Sequence, residues 1–246
     1  MINDSIQTIP LSSLVLAFIP VVVVLAILYR WSLSYGNAVY AVIRMLVQLL
    51  LIGYLLSYIF EAQSQWVVVA VLLMMVFVSS WIALQTVSHN RRRELYKYAL
   101  YSVALGGGPV LVLMTVAVIG VDPWYQPSQV IPLAGMVFAN AMNSVALAVE
   151  RMESEIERSV DYAEARVIAL RAAMIPVINS LFAVGLVSLP GMMTGQILSG
   201  VSPLIAARYQ IMVMCMVFGS AGITTALFLL MAKRNYCKQS APHSSV

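Results

Sequence analysis

The sequence predicts an all-α, polytopic integral membrane protein with about seven transmembrane helices. The composition is 61% hydrophobic and 10% charged, and the mean hydropathy is +0.91, far above the range of soluble domains. A bilayer core of about 30 Å needs about 20 helical residues, and seven apolar runs are long enough. They predict a single transmembrane domain over 1–246, with spans at roughly 11–29, 37–60, 66–84, 97–120, 128–149, 175–199 and 203–232.

The positions of the basic residues predict the orientation, because Lys and Arg are retained on the cytoplasmic side of a membrane. Twelve of the fourteen lie in segments on one side of the predicted spans, whereas the opposite loops around Glu61, Asp122 and Gly200 contain none. This places the N-terminus outside and the tail 233–246 in the cytoplasm. The net charge of +4 then reflects orientation and not nucleic-acid binding.

The first apolar run is predicted to be a retained span. Residues 1–13 contain no Lys or Arg that could form the basic region of a cleaved signal peptide, and they include Asp4. An even number of spans remains an alternative, because the segment around Pro190 could be re-entrant.

Absent motifs exclude several functional classes. No predicted span contains Asp or Glu, so the carboxylate that usually carries protons in a coupled transporter is missing. No Gly-Lys dipeptide occurs, so the chain has no phosphate-binding loop of the Walker type. Cys215 and Cys237 form neither a disulfide pattern nor a zinc pattern. We therefore expect no enzyme activity and no cofactor bound by this chain, with any energy supplied by a partner.

Two basic residues, Arg44 and Arg208, fall inside apolar runs. Intramembrane charge is costly and often functional, so Arg44 and Gln48, one turn further on, are candidates for a translocation path. The alternative is that both arginines extend toward the headgroups and that Gln48 only joins helices.

A charged segment over 150–174 has the pattern of a cytoplasmic amphipathic helix. Its apolar residues recur at spacings of three and four. Such a helix could receive force from a cytoplasmic ATPase, or it could be only an extension of its neighbouring spans. The candidate coupling residues are Met152, Ile156, Val160, Val167 and Arg171.

The segment GLVSLPGMMTGQILSG, residues 185–200, predicts an interrupted helix. Pro190 removes a backbone hydrogen bond, and Gly191 and Gly195 form a G-x-x-x-G face that another helix can approach closely. We interpret these three residues as a hinge and packing surface, with an ordinary kinked helix as the alternative. Ser202 followed by Pro203 predicts the start of the last span.

Several stretches resemble the FetB family of ABC-type permeases, which are described as iron exporters. They are IPLAGMVFANAMNSVAL (131–147), RAAMIP (171–176), VGLVSLPGMMTGQILSGVSPLIAARYQIMV (184–213) and, less closely, RMLVQLLLIGYLLSYIF (44–60). The resemblance implies a homodimeric permease in the bacterial inner membrane that exports a metal ion, with ATP hydrolysed by a separate FetA-like subunit. Plant relatives are linked to aluminium tolerance. This sequence departs from the family at Ala139 and in a shorter loop before 171.

The predicted path also contains potential metal ligands, although no metal site is assigned. Thioethers prefer soft ions such as Cu(I) over iron, and most methionines in an apolar chain only fill space. The candidates are Met136, Asn140, Asn143, Met192 and Met193. Two alternatives to metal export stay open: a permease for another small solute, and a membrane adaptor that recruits a cytoplasmic partner without transport.

Overall fold

A computed structural model describes residues 10–33, 35–62 and 64–240 of the chain. Within these residues, seven helices are long and apolar enough to cross a membrane, and no β-strand is present. The all-α, seven-span prediction is confirmed, whereas the orientation of the termini stays a prediction. Asp4 and residues 241–246 of the predicted tail lie outside the described residues.

The helices follow one another with short connections. They are α1 Leu11–Leu16, α2 Ile19–Arg30, α3 Tyr35–Ala62, α4 Gln65–Ile82, α5 His89–Val112, α6 Pro127–Glu157, α7 Tyr162–Ala183, α8 Gly191–Leu198, α9 Pro203–Met231 and α10 Lys233–Ser240. Helix α5 continues into a π-helical segment, Leu113–Ile119. α1 and α2 together form the first candidate span, and the short helices α8 and α10 are not spans.

Internal packing divides the chain into two units, 1–61 and 62–246. The first contains α1 to α3, and α2 has no buried residue. The second is a bundle in which α6 and α9 are central: α9 packs against α5, α6, α7 and α8, and α6 also packs against α4, α5 and α7. The single domain over 1–246 stays a prediction.

Small residues bring α5 and α9 close together inside the second unit. A Cβ added to Gly106 would lie 2.7 Å from the Thr224 Cα and 2.8 Å from its backbone nitrogen. Thr224 and the neighbouring Ser220 are fully buried. Membrane helices associate through such close backbone approach, because lipid removes the hydrophobic driving force that operates in water.

The predicted sixth span was placed wrongly at 175–199; the observed helix α7 covers Tyr162–Ala183. The Asp161 side chain accepts the Ala163 amide at 2.9 Å and caps the helix start. Ala165, Ala169 and Ala173 are fully buried at a spacing of four. The first half of α7 therefore packs a face of small residues against the bundle, although it also contains charged residues. Hydropathy alone did not show that face.

The predicted continuous helix over 150–174 is also wrong in form. α6 ends at Glu157, and α7 begins at Tyr162. Between them, Ser159 has φ 61°, a left-handed conformation that interrupts the helix. The amphipathic pattern therefore belongs to the end of one helix and the start of the next.

A charged cluster joins α5, α6 and α10 at the predicted cytoplasmic end. Arg91 lies 2.8 Å from a Glu153 carboxylate oxygen, and its guanidinium lies 5.2 Å from the centre of the Tyr236 ring. Burial, followed by the negative charge of Glu153, raises the pKa of the fully buried Tyr236 phenol. The cluster therefore holds a neutral phenol beside an ion pair between α5 and α6.

Candidate translocation site

The short helix α8 separates two cavities in the second unit. Met192 lines one cavity and the next residue, Met193, lines the other. The chain reaches α8 through the irregular segment 184–190, in which Gly185 has φ 84°. The α8 region connects two candidate spans, α7 and α9, and borders both cavities, so it is a candidate for a path across the membrane.

The first cavity, which we call the α6–α8 cavity, has a volume of about 220 Å³. It is lined from α6 by Met136, from α8 by Met192 and Gln196, and from α9 by Tyr209. The Gln196 Oε1 atom is buried and has no hydrogen-bond partner. The side chains of two methionines and one glutamine thus line the same small volume, and all three carry neutral donor groups.

The second cavity, which we call the α7–α9 cavity, has a volume of about 430 Å³. Its walls come from the end of α7, from α8 and from one face of α9. The lining is almost entirely apolar carbon and sulfur, and Gln210 is the polar side chain on it. The two cavities therefore offer different surroundings on either side of α8.

The structure brings only part of the predicted path together. Met136 and Met192 share the α6–α8 cavity, whereas Met193 faces the α7–α9 cavity. The Asn140 amide donates to the Met136 backbone carbonyl at 2.8 Å, and Asn143 is exposed. In the first unit, Arg44 is half-buried and Gln48 is exposed on α3.

The hinge residues occupy a different structure from the one the sequence predicts. Pro190 does not bend a helix; it is the N-cap of α8, with φ −63° and ψ 146°. A Cβ added to Gly191 or Gly195 would meet nothing within 4 Å. The G-x-x-x-G face is therefore open in the single chain, and its role as a hinge or packing surface stays a prediction.

The candidate coupling residues fall into two groups. Met152 is fully buried, Ile156 nearly so, and Val160 packs against the same core cluster. Val167 is 61% exposed on α7, and Arg171, one turn later, is also exposed. In this conformation only the second group can contact a partner, and the first group fits the alternative of an extension packed on its neighbours.

Sequence reasoning missed Gln196 and Gln210, whose amide oxygens are both buried without partners. Their occurrence in otherwise apolar runs was the available signal. Arg208, which the sequence did identify, is exposed and lines a further cavity of about 260 Å³ together with Tyr209. Among the described residues, no group of three or more His, Cys, Asp or Glu side chains could hold a metal ion.

Comparison with known proteins shows the family to which this chain belongs. Residues 11–237 match the family described as "Uncharacterised protein family (UPF0014)". A UPF0014 membrane protein of Synechocystis sp. is 32% identical over 83% of this chain and 84% of its own length. The "Probable iron export permease protein FetB" of Escherichia coli is 30% identical over 91% of both chains.

A plant relative matches at a similar level. The Arabidopsis thaliana protein named "ALUMINUM SENSITIVE 3" is 33% identical over 83% of this chain and 80% of its own length. No solved structure matches the chain. The family match covers nearly all of the described helices, and the predicted resemblance to FetB is confirmed. This chain is a multi-pass membrane protein that belongs to the UPF0014 family.

Proposed function

We propose that this chain is the membrane permease subunit of an ABC-type exporter that moves a metal ion, iron first among the candidates, out of the cytoplasm. The observation that carries the proposal is the α6–α8 cavity. There an interrupted backbone and three neutral donors, Met136, Met192 and Gln196, lie within a bundle of membrane-spanning helices. Weak neutral ligands suit a path, because an ion must leave as readily as it enters.

The relatives support this proposal through what their names state. The Escherichia coli relative is named as an iron export permease, and the Arabidopsis thaliana relative is named for aluminium sensitivity. Both names concern metal ions. We infer a location in the bacterial inner membrane on the same basis.

The energy source in this proposal is a separate FetA-like ATP-binding subunit. The sequence has no phosphate-binding loop of its own, so ATP would act only through that partner. We place the contact on the exposed face of α7, at Val167 and Arg171, and on the turn before α7. α7 leads directly into the irregular segment before α8, so movement of α7 would reach the cavities through adjacent backbone.

A homodimer completes the proposed transporter. The open face at Gly191 and Gly195 is available to a helix of a second copy, since an added Cβ there meets no atom of its own chain. A second copy would also cover apolar side chains such as Leu186, which is 91% exposed.

The proposal is tested by co-purification and ATPase stimulation. The tagged chain is expressed together with an ATP-binding subunit encoded beside it, and the complex is reconstituted into liposomes. We expect two copies of each subunit and ATP hydrolysis that rises with Fe²⁺. Val167→Asp combined with Arg171→Glu should weaken the complex, whereas exchanges at the exposed residue Arg93 should not.

Other outcomes distinguish the alternatives. Stimulation by an organic solute and by no metal would show a permease for another small solute. A stable complex with unstimulated hydrolysis for every solute would favour an adaptor. Failure to co-purify with any ATP-binding subunit would overturn the ABC-type mechanism.

A further inference from the structure

Arg208 is a charged residue to which the proposed iron path assigns no role. It lies on α9 and lines a cavity of about 260 Å³, which we call the Arg208 cavity, with Tyr209, Met212 and the last two residues of the π-helical segment. It forms no ion pair or hydrogen bond with any residue that the structure describes. A charged side chain within a membrane span is costly, so it indicates either a functional site or a contact with lipid headgroups.

The Arg208 cavity adjoins the α6–α8 cavity. Tyr209 and Ile119 line both of them, so the positive charge lies beside the neutral donors of the proposed path. Other charges are scarce in this part of the second unit. Residues 98–149 contain a single charged residue, Asp122, and residues 172–232 contain only Arg208.

This lining does not suit a bare iron ion. In the part of the chain that the structure describes, neither cavity is lined by a carboxylate, an imidazole or a thiol. Protein iron sites commonly use imidazole and carboxylate ligands, whereas thioethers favour softer ions. A bare cation would also meet a like charge at Arg208, with no anionic side chain to offset its own charge.

A small carboxylate chelator would supply what the lining lacks. Its oxygens would coordinate the metal, and a remaining carboxylate would pair with the guanidinium of Arg208, whose planar shape allows two parallel hydrogen bonds. Both cavities have room for more than a bare ion, since a water molecule occupies only about 30 Å³.

We propose that the Arg208 cavity binds a carboxylate of an anionic metal complex, so that iron moves along the path together with a small polycarboxylate such as citrate. This inference rests on the proposed function and names the class of its substrate.

Binding to the full-length chain in detergent tests the site. Radiolabelled citrate is mixed with iron, and its binding is measured by equilibrium dialysis. We expect Arg208→Gln to bind the iron–citrate complex about tenfold more weakly than the parent, because it loses a charge-assisted hydrogen bond. Arg208→Lys keeps the charge without the planar guanidinium and should have an intermediate affinity. Arg93→Gln changes an exposed arginine on α5 and should bind like the parent.

A phospholipid headgroup offers Arg208 the same anionic chemistry. Excess phosphatidylglycerol in the detergent distinguishes the two sources. Binding of iron–citrate that persists in this lipid supports the proposal. Binding that the lipid abolishes, or equal binding by the parent and Arg208→Gln, would overturn it.

Transport with two labels tests the substrate class without any variant. Vesicles that contain the chain and its ATP-binding subunit receive ATP, radiolabelled iron and citrate with a second label. We expect both labels to accumulate together, and iron to accumulate faster with citrate than as Fe²⁺ alone.

The outcomes separate this inference from the proposed function. Iron that accumulates without citrate would overturn the inference and leave iron export intact. Accumulation of neither label would contradict the proposed function, whereas binding of iron–citrate that depends on Arg208 would still support the anion site.

Discussion

Replacing Gly106 by Ala tests whether close contact between α5 and α9 stabilises the bundle. The new Cβ would lie 2.7 Å from the Thr224 Cα, whereas ordinary contacts begin near 3.4 Å. The two helices would therefore have to separate by about 0.7 Å at this point. The Thr224 backbone cannot swing away as a flexible side chain could, so the whole crossing is disturbed.

The size of the effect follows from two opposing contributions. Ala is better than Gly in a helix by about 1 kcal/mol, which favours the variant. Overpacking of a well-packed interior costs about 1–3 kcal/mol, and separation of the helices also loses neighbouring contacts. Gly219 on α9 provides a matched control, because it is also in a helix interior and a Cβ there meets nothing within 4 Å. We expect Gly106→Ala to be less stable than Gly219→Ala by about 2 kcal/mol.

Thermal unfolding of both variants in the same detergent measures this difference. For a chain of this size, about 2 kcal/mol corresponds to roughly 4–8 °C in Tm. Gly219→Ala should unfold at or slightly above the temperature of the parent. Equal Tm values for the two variants would refute the close α5–α9 crossing.

Three further predictions concern the ends of the helices. Arg91→Met breaks the ion pair to α6 and should lower the free energy of unfolding by about 1–3 kcal/mol, whereas Arg93→Met at an exposed position should change it by less than about 0.5 kcal/mol, both measured by thermal unfolding. Ile156→Asp should abolish a monodisperse peak in gel filtration because it buries a charge, and Val167→Asp should keep that peak; equal behaviour would contradict the burial of the α6 end. In a cysteine-free background, Asp122→Cys should react with an impermeant maleimide from outside intact cells and Arg93→Cys should not; the reverse pattern would invert the predicted orientation.

The spans were predictable because their signals are local. Composition and run length indicate each membrane helix without knowledge of its neighbours. The start of α9 was predicted equally well: the Ser202 hydroxyl accepts the Ile205 amide at 3.4 Å, and Pro203 is the first helical residue. Caps depend on three or four adjacent residues, so the sequence is sufficient to recognise them.

The location of the sixth helix was not predictable from hydropathy. Residues 162–174 include the charged residues Glu164, Arg166 and Arg171. Their buried face consists of Ala165, Ala169 and Ala173, which are weakly hydrophobic. Alanine is buried here because it permits close approach to a neighbouring helix, which is a property of the pair and not of the segment. The apolar residues of the predicted pattern are buried at the end of α6, at Met152 and Ile156, but Val167 of the same pattern is exposed on α7.

The candidate site was also only partly predictable, because the position of each side chain depends on how the helices pack. The sequence identified Met136 and Met192, but only the folded chain shows that they line one cavity and that Met193 lines another. Gln196 and Gln210 could not be selected as site residues from the sequence, because a single amide in a span often only forms a hydrogen bond to a neighbouring helix. Their unpaired oxygens become informative once their surroundings are known.

Metal flux through reconstituted vesicles tests the proposed path most directly. Vesicles containing the chain and its co-purified ATP-binding subunit are supplied with ATP and radiolabelled Fe²⁺ on the cytoplasmic side of the transporter. We expect ATP-dependent iron accumulation that is lost in the Met192→Leu, Gln196→Leu double variant and retained in Met74→Leu. Undiminished accumulation in the folded double variant, or no ATP-dependent accumulation of iron in the parent, would contradict a metal path through the α6–α8 cavity.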